Sequence, residues 1–155
     1  MSSICNFVHS LNNKTGGVFE ASRLLNSEIR NFGINSFLSD NKDIRTEKVY
    51  LNIAHGLWQW PSVVAYKNLI RENTPYLLFP HGMLDPWFKN TYHLKHIKKQ
   101  LYWLWRQGRI LKNAHAVCFT TEEERRLAQN TFWPYNCREV VTGLGVANPP
   151  PRENQ

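Results

Sequence analysis

Short apolar runs alternate along the chain with segments of helical periodicity. Six runs have the length and composition of buried strands, at residues 4–8, 34–39, 48–54, 75–79, 116–120 and 139–142. Between them, apolar spacing predicts four helices: one ending at Gly33, one from Pro61 to Asn73, one over 94–113 and one over 122–131. This alternation predicts an α/β fold, a doubly wound, mostly parallel sheet of about six strands with helices on both faces.

Four of the predicted loops follow strands and so belong to one edge of that sheet. They cover residues 12–17, 55–60, 81–87 and 120–124. In open parallel sheets, ligands bind outside the carboxyl ends of the strands. The four loops hold a Gly-Gly pair and two of the six histidines of the chain. We therefore expect a ligand site at this edge.

The Gly16-Gly17 pair lies between the first strand and the first helix. Glycine allows close approach of the backbone to an anion, and a helix N-terminus offers N–H groups with partial positive charge. A tight turn would use the same residues. The loop has neither the Lys-Ser/Thr of a P-loop nor the G-x-G-x-x-G pattern of a dinucleotide site. From the pattern alone, anion binding and a tight turn both remain open.

Two histidines, His55 and His81, each follow a strand and precede a glycine. An imidazole in such a loop can donate or accept a proton. Trp58, in the first loop, can stack on a sugar or a lipid chain. Asp85, in the second loop, is close enough in sequence to orient His81 or to bind a hydroxyl. The alternatives are a packed corner for Trp58 and structural histidines.

Composition narrows the class of protein. The chain has 155 residues, with 42% apolar and 20% charged positions, which is typical of one globular domain. No apolar run is long enough to span a bilayer, and the first residues lack the pattern of a signal peptide. The three cysteines have no zinc-type spacing, and His93 and His96 lack a third ligand nearby. We expect free thiols, no metal site and a cytoplasmic location.

The positive charge is concentrated in one segment. The formal net charge is +7, and residues 89–112 hold seven basic residues and no acidic one, so that the other twelve basic residues balance twelve acidic ones. On a helical wheel of about 100° per residue, the basic arc consists of Lys95, Lys98, Lys99, Arg106 and Arg109. The wheel assigns an adjoining arc to the core: Ile97, Leu101, Leu104, Trp105, Gly108 and Leu111. It leaves Trp103 and Ile110 towards solvent.

A basic arc beside solvent-facing Trp103 and Ile110 suits peripheral contact with an anionic membrane. The alternative is an ordinary solvated face. Nucleic acid is a disfavoured partner, because the patch is single and no known RNA- or DNA-reading signature accompanies it.

Several strings of the sequence together resemble the N-terminal half of family 4 glycosyltransferases. The most specific is Pro-His-Gly-Met-Leu-Asp-Pro-Trp at 80–87, and Gly-Gly-Val-Phe-Glu-Ala at 16–21 and His-Gly-Leu-Trp at 55–58 support it. Residues 114–124 look like the next strand and loop of that family, and residues 138–150 resemble the stretch leading into its second domain. The resemblance covers residues 4 to about 150.

The resemblance implies the GT-B architecture, in which two Rossmann-like domains face each other across a cleft. The N-terminal domain mainly binds the acceptor, a sugar or a lipid-linked glycan, and the C-terminal domain binds the nucleotide-sugar donor. Such enzymes retain anomeric configuration and need no metal ion, so no cofactor is implied. Residues 1–148 would form the N-terminal domain, and residues 149–155 would be a Pro-rich linker towards a donor-binding domain absent from this sequence.

The same resemblance implies roles for individual positions. His81 would be the catalytic position, close to the transferred sugar. The Gly-Gly loop would lie against the donor's phosphates, one His-Trp pair would line the acceptor pocket, and further side chains would support the loop or line the cleft. These substrate-binding positions are Gly16, Gly17, His55, Trp58, Asp85, Thr120 and Glu122.

Without a donor-binding domain, the leaving diphosphate would lack the positioned donors that stabilise its charge. We therefore expect the chain alone to be inactive or nearly so, as a truncated product or as half of a split enzyme completed by a separate C-terminal chain. Its expected role is in polysaccharide or glycolipid synthesis at the cytosolic membrane face. The alternative is a non-catalytic module, derived from a transferase, that binds a glycan or a partner subunit.

Overall fold

The computed structural model describes residues 3–12, 16–42 and 49–143. Six strands form one sheet in the order β2-β1-β3-β4-β5-β6, and every neighbouring pair is parallel. The strands are β1 Ser3–Phe7, β2 Ser36–Ser39, β3 Val49–His55, β4 Tyr76–Phe79, β5 Ala116–Phe119 and β6 Glu139–Val141. The predicted Rossmann-like α/β fold is confirmed, and each predicted strand is present within two residues of its expected bounds.

The connections between the strands are helical. The helices are α1 Gly17–Asn31, α2 Trp60–Glu72, α3 Trp87–Thr91, α4 His93–Tyr102, α5 Gly108–Asn113 and α6 Glu122–Ala128, and a π-helical segment, Trp103–Gln107, joins α4 to α5. The short helix α3 was not predicted, and the long helix expected over 94–113 is interrupted by the π-helical segment. The predicted linker, residues 149–155, lies outside the described residues.

The sheet is covered on both faces, as its sequence pattern predicts. Successive residues of a strand point to opposite sides, so Ile4 and Ile53 pack with Leu25 and Ile29 of α1 on one face. On the opposite face, alternate strand residues pack in a larger cluster with α2, the π-helical segment and α5. All five residues of β1 are buried.

The basic helix is oriented differently from the prediction. Trp103 and Ile110, expected towards solvent, are 1% and 0% exposed. Four residues assigned to the core-facing arc are exposed instead: Ile97, Leu101, Leu104 and Trp105. A π-turn holds more residues than an α-turn, so a wheel of constant angle loses the phase of the helix. The two side chains that supported the expected membrane contact are therefore buried.

Trp103 anchors this corner of the molecule. Its indole N–H donates a 2.8 Å hydrogen bond to the carbonyl oxygen of Pro134, and its ring stacks on Phe132 with centroids 4.9 Å apart. Gly108 leaves room for the indole, since a Cβ there would lie 3.0 Å from both Nε1 and the carbonyl oxygen of Trp103.

The strand order determines where a ligand can bind. The chain passes from β1 outward to β2 and then back across to β3, which neighbours β1 on its other side. Such a reversal opens a crevice at the carboxyl ends of the two strands. The loops after β1, β3, β4 and β5 all lie at this edge because the sheet is parallel throughout. We call it the carboxyl edge. The described parts of the four predicted loops lie here, and residues 13–15 of the first loop lie outside the described residues.

Candidate functional site

The loop after β4 carries His81 in a conformation that few side chains adopt. His81 has φ 51° and Gly82 has φ 75°, so two successive residues occupy the left-handed region. Left-handed backbone is unfavourable for a residue with a Cβ. The loop is nevertheless well supported, because the backbone N–H of Met83 donates to the carbonyl oxygen of Pro80 and that of Asp85 to Gly82. Strain at a loop above a sheet edge is a common feature of ligand sites.

The loop after β3 lies directly against the loop that carries His81. Gly56 has φ 88°, and a Cβ at this position would be 3.1 Å from the Cε atom of Met83. The backbone N–H of Leu57 faces the Met83 sulfur at 3.1 Å. Gly56 therefore allows the two loops to approach each other closely.

His55 and His81 form the centre of the site. Nδ1 of His55 lies 3.0 Å from Nε2 of His81, and the two rings stack with centroids 5.3 Å apart. Phe79 stacks against both rings, at 5.4 Å and 5.9 Å. His55 is only 2% exposed and lies beneath His81, which is partly exposed. Of the two predicted histidines, His81 is thus the one that faces the edge.

A buried polar network assigns the protons of this pair. The side-chain amide nitrogen of Asn6 donates to Asn26 Oδ1 and Ser36 Oγ, at 3.3 Å and 3.0 Å. The carbonyl oxygen of Asn6 therefore faces Nε2 of His55, at 3.2 Å. Because that oxygen can only accept, Nε2 of His55 carries a proton and Nδ1 is the acceptor. Nε2 of His81 must then donate to His55, which leaves Nδ1 of His81 as the ring nitrogen without a proton.

Burial keeps both rings neutral. Desolvation lowers the pKa of His55 far below its ordinary value, and the neighbouring His81 lowers it further. Desolvation also lowers the pKa of His81, although the carboxylate of Glu124 acts in the opposite direction. A neutral imidazole can accept a hydrogen bond through its unprotonated nitrogen, whereas an imidazolium cannot.

Glu124 fastens the loop of His81 to the loop after β5. One of its carboxylate oxygens accepts from the backbone N–H of Gly82 at 2.7 Å, and the other accepts from the backbone N–H and the hydroxyl of Thr120, each at 2.8 Å. Glu124 was not among the site residues predicted from the sequence. The signal was present, since Thr121-x-x-Glu124 is a capping-box pattern, and Thr121 Oγ1 does accept from the backbone N–H of Glu124.

The two predicted residues of the β5 loop have different surroundings. Thr120 contacts Glu124 and so belongs to the connection between the loops. Glu122 is exposed and pairs with Arg125 one helical turn away. Arg125 also pairs with Glu139 of β6 at 2.8 Å. The Glu122 side chain is therefore oriented towards Arg125 of α6 and not towards His81.

Trp58 is part of an aromatic cluster below the basic helix. Its ring lies 5.0 Å from Phe132 and 6.2 Å from Trp103, and the Lys99 ammonium lies 5.0 Å from its centroid. This environment is the packed corner that was given as the alternative interpretation of Trp58. Its indole nitrogen is buried and has no hydrogen-bond partner among the described residues.

Asp85 supports the end of the His81 loop. Its carboxylate accepts a 2.7 Å hydrogen bond from the backbone N–H of Trp87, which forms an Asx-turn at the start of α3.

Gly16 and Gly17 begin α1 at the same edge. Gly16 has φ 79°, and its carbonyl accepts from the backbone N–H of Phe19. A Cβ at either glycine would meet no atom of the described residues within 4 Å. His9, shortly after β1, lies close to the loop that follows β3, since the Trp60 indole N–H donates to the carbonyl oxygen of His9 at 3.3 Å.

A separate cleft of about 720 Å³ lies between α4 and residues 129–139, and none of the predicted site residues lines it. In the described part of the chain, no group of three or more His, Cys, Asp or Glu side chains could hold a metal ion. Over the same ranges, no helix combines the length and the apolar character needed to cross a membrane.

A doubly wound parallel sheet with helices on both faces defines a Rossmann-like α/β domain, and the carboxyl edge of such a sheet is where ligands bind in this class of fold. The family model described as "Glycosyl transferase 4-like domain" matches residues 18–144, which is well over half of the chain. The chain belongs to this glycosyltransferase family. Searches of curated proteins and of solved structures found no match.

Proposed function

We propose that this chain is the acceptor-side domain of a retaining glycosyltransferase that uses a nucleotide-sugar donor. The acceptor would be a polysaccharide or a lipid-linked glycan at the cytosolic membrane face. A second domain of a GT-B enzyme, in the same or in a separate chain, would bind the donor. The observation that carries the proposal is the arrangement of His81, which lies at the carboxyl edge with its ring tied to His55 and its loop tied to Glu124.

His81 is the proposed catalytic residue. Its Nε2 proton is engaged by His55, so Nδ1 is the nitrogen that would accept a hydrogen bond from a hydroxyl of the transferred sugar. Burial keeps the imidazole in the neutral form that this contact requires. His55 and Glu124 would act through His81 and are therefore positioning residues.

The start of α1 is the proposed contact for the diphosphate of the donor. The first turn of a helix presents N–H groups with partial positive charge. Gly16 and Gly17 leave the space beside this turn open among the described residues. Most of the charge on the leaving diphosphate would still be stabilised by the second domain. For this reason the chain alone should show little or no transfer, and no metal ion need take part.

The proposal can be tested by supplying a donor-binding domain. A donor-binding domain from another member of the family is fused after residue 155 or added as a separate chain, and release of nucleoside diphosphate is measured over a panel of nucleotide-sugars. We expect turnover only in the combined protein. The variant His81→Ala should lower turnover roughly 10²-fold, the size of effect seen when one positioned hydrogen-bonding group is removed.

The matched control is His115→Ala. His115 is exposed and precedes β5, so it lies at the opposite edge of the sheet. Unchanged turnover in His81→Ala would refute the catalytic role. Binding of a glycan by the combined protein without any turnover would favour the non-catalytic module instead.

A further inference from the structure

A row of apolar side chains faces solvent along α4 and the π-helical segment. Successive members are separated by three, four, three and one residues, which keeps them on one side of the helix. None of the ten residues of α4 is buried. The row, called here the outer apolar stripe, consists of Leu94, Ile97, Leu101, Leu104 and Trp105, which are 79%, 55%, 62%, 53% and 70% exposed.

Single exposed apolar residues are common, but a contiguous patch of large ones is not. Exposure of each such side chain to water is unfavourable. The side of α4 that packs on the domain is a different one, with His96 stacked on Phe132 and Gln100 hydrogen-bonded to Trp133. The outer apolar stripe is therefore a surface that something else covers.

Basic side chains flank the outer apolar stripe. Lys95 and Lys98 are exposed on α4, and Arg106 and Arg109 continue the positive charge towards α5. The ion pairs among the described residues use Arg23, Arg125 and Arg126, and none of them uses these four cations. Residues 89–112 contain no acidic residue at all. The surface thus combines apolar side chains with positive charge that no ion pair among the described residues neutralises.

We infer that the outer apolar stripe lies in the interface of an anionic lipid bilayer, with α4 parallel to the membrane plane. Helices with Leu and Trp on one side and Lys or Arg beside them bind membranes in this way. Protein–protein interfaces are, by contrast, depleted in lysine. Lysine can place its methylene chain along the apolar region while its ammonium reaches the phosphate groups of the lipids.

Trp133 extends the same surface. It is 77% exposed, and its backbone N–H and carbonyl are both hydrogen-bonded to the side-chain amide of Gln100 in α4. Its backbone is thereby held beside the helix, with the side chain exposed. Tryptophan is enriched at the level of lipid headgroups, so Trp105 and Trp133 are placed as two interfacial anchors.

This inference goes beyond the proposed function and does not depend on His81. Its basic residues belong to the arc that the helical wheel identified, but its apolar residues are not the ones that the wheel placed towards solvent. It concerns contact with the membrane surface only. A domain held at that surface would meet a lipid-linked acceptor without having to extract it from the bilayer.

The test is sedimentation of the full chain with vesicles of phosphatidylcholine alone and of phosphatidylcholine mixed with phosphatidylglycerol. The wild type should bind the mixed vesicles and leave the neutral ones almost unbound. Leu101→Glu should abolish binding, and Lys98→Glu should weaken it about fivefold or more, the contribution of a single cation near an anionic surface. Controls are Ile70→Glu and Arg71→Glu on α2, which are equally accessible positions.

Tryptophan fluorescence is a second measurement, which reports on the two interfacial anchors directly. The tryptophan emission of the wild type should shift to the blue on addition of mixed vesicles, and the shift should be smaller in Trp105→Phe. Equal binding to both kinds of vesicle, no binding to either, or the same loss in the α2 controls would overturn the inference. So would a dimer in the absence of lipid that Leu101→Glu converts to a monomer, because a second copy would then cover the stripe.

Discussion

Nδ1 of His55 and Nε2 of His81 are 3.0 Å apart, and the deeper ring is held from below by the Asn6 amide. The two loops of the carboxyl edge thus share one hydrogen-bonded chain that begins in β1 and ends at the surface. A substitution at its buried end should therefore change the hydrogen bonding of His81.

The neutral histidine pair makes stability depend on pH. In the unfolded chain His55 titrates near its ordinary pKa of 6.5, whereas burial lowers its pKa in the folded chain. Below the unfolded value the unfolded state therefore binds more protons, and stability falls as the pH falls. From about pH 7 to about pH 5, we expect the free energy of unfolding to decrease by up to roughly 1.4 kcal/mol per pH unit for each such group.

The measurement is urea unfolding of the wild type and of His55→Gln over this pH range. His55→Gln should be less stable at neutral pH but should show a weaker dependence on pH. His115→Gln, at an exposed position, should behave as the wild type does. A pH dependence that is unchanged in His55→Gln would show that the acid sensitivity arises elsewhere.

Removing one acceptor of Glu124 should loosen the His81 loop. In Glu124→Gln, one oxygen that accepts from Gly82 or Thr120 becomes an NH₂ group, so that a backbone N–H is left opposite a donor. We expect a loss of about 1 to 3 kcal/mol in the free energy of unfolding. Hydrogen exchange at the Gly82 amide should accelerate.

Glu123→Gln is the control for this change, because Glu123 is exposed and pairs only loosely with Arg126, at 3.8 Å. Equal effects of the two substitutions would mean that charge on α6, and not the connection between the loops, accounts for the result.

The two glycines at the start of α1 should respond differently to alanine. Gly16 has φ 79°, where an L-residue is strained, and Gly16→Ala should destabilise the fold by about 1 to 2 kcal/mol. Gly17 is helical and has open space around it, so Gly17→Ala should be neutral or stabilising. Thermal unfolding distinguishes the two, and an equally tolerated Gly16→Ala would contradict the backbone conformation described for the turn.

Gly108→Ala should destabilise the domain although it lies in a helix. Helix propensity alone favours alanine over glycine by about 1 kcal/mol. The new Cβ would, however, lie 3.0 Å from the Trp103 carbonyl oxygen and from its indole nitrogen. Displacing this buried indole should cost about 1 to 3 kcal/mol, together with a change in near-ultraviolet circular dichroism. A gain in stability would show that the corner adapts without cost.

The sequence was a good guide to the sheet and to its edge, because buried strands and the glycines after them leave a local signal. The pairing of His55 with His81 and the role of Glu124 involve residues 26 and 42 positions apart, and no local pattern specifies such contacts. Trp103 illustrates a different failure. A helical wheel of constant angle cannot anticipate a π-helical turn. Trp103 was therefore assigned to solvent although it is buried, and the apolar residues of α4 were assigned to the core although they are exposed.

The π-helical segment Trp103–Gln107 holds one residue more than an α-helical turn would, and this constrains insertions and deletions in its gene segment. It offsets the two flanking α-helices by roughly a quarter of a turn, so that the first can display leucines outward while the second inserts Ile110 and Leu111 inward. Loss of a single codon here would realign the halves and force one set of side chains onto the wrong side. This stretch should therefore tolerate hardly any change in length.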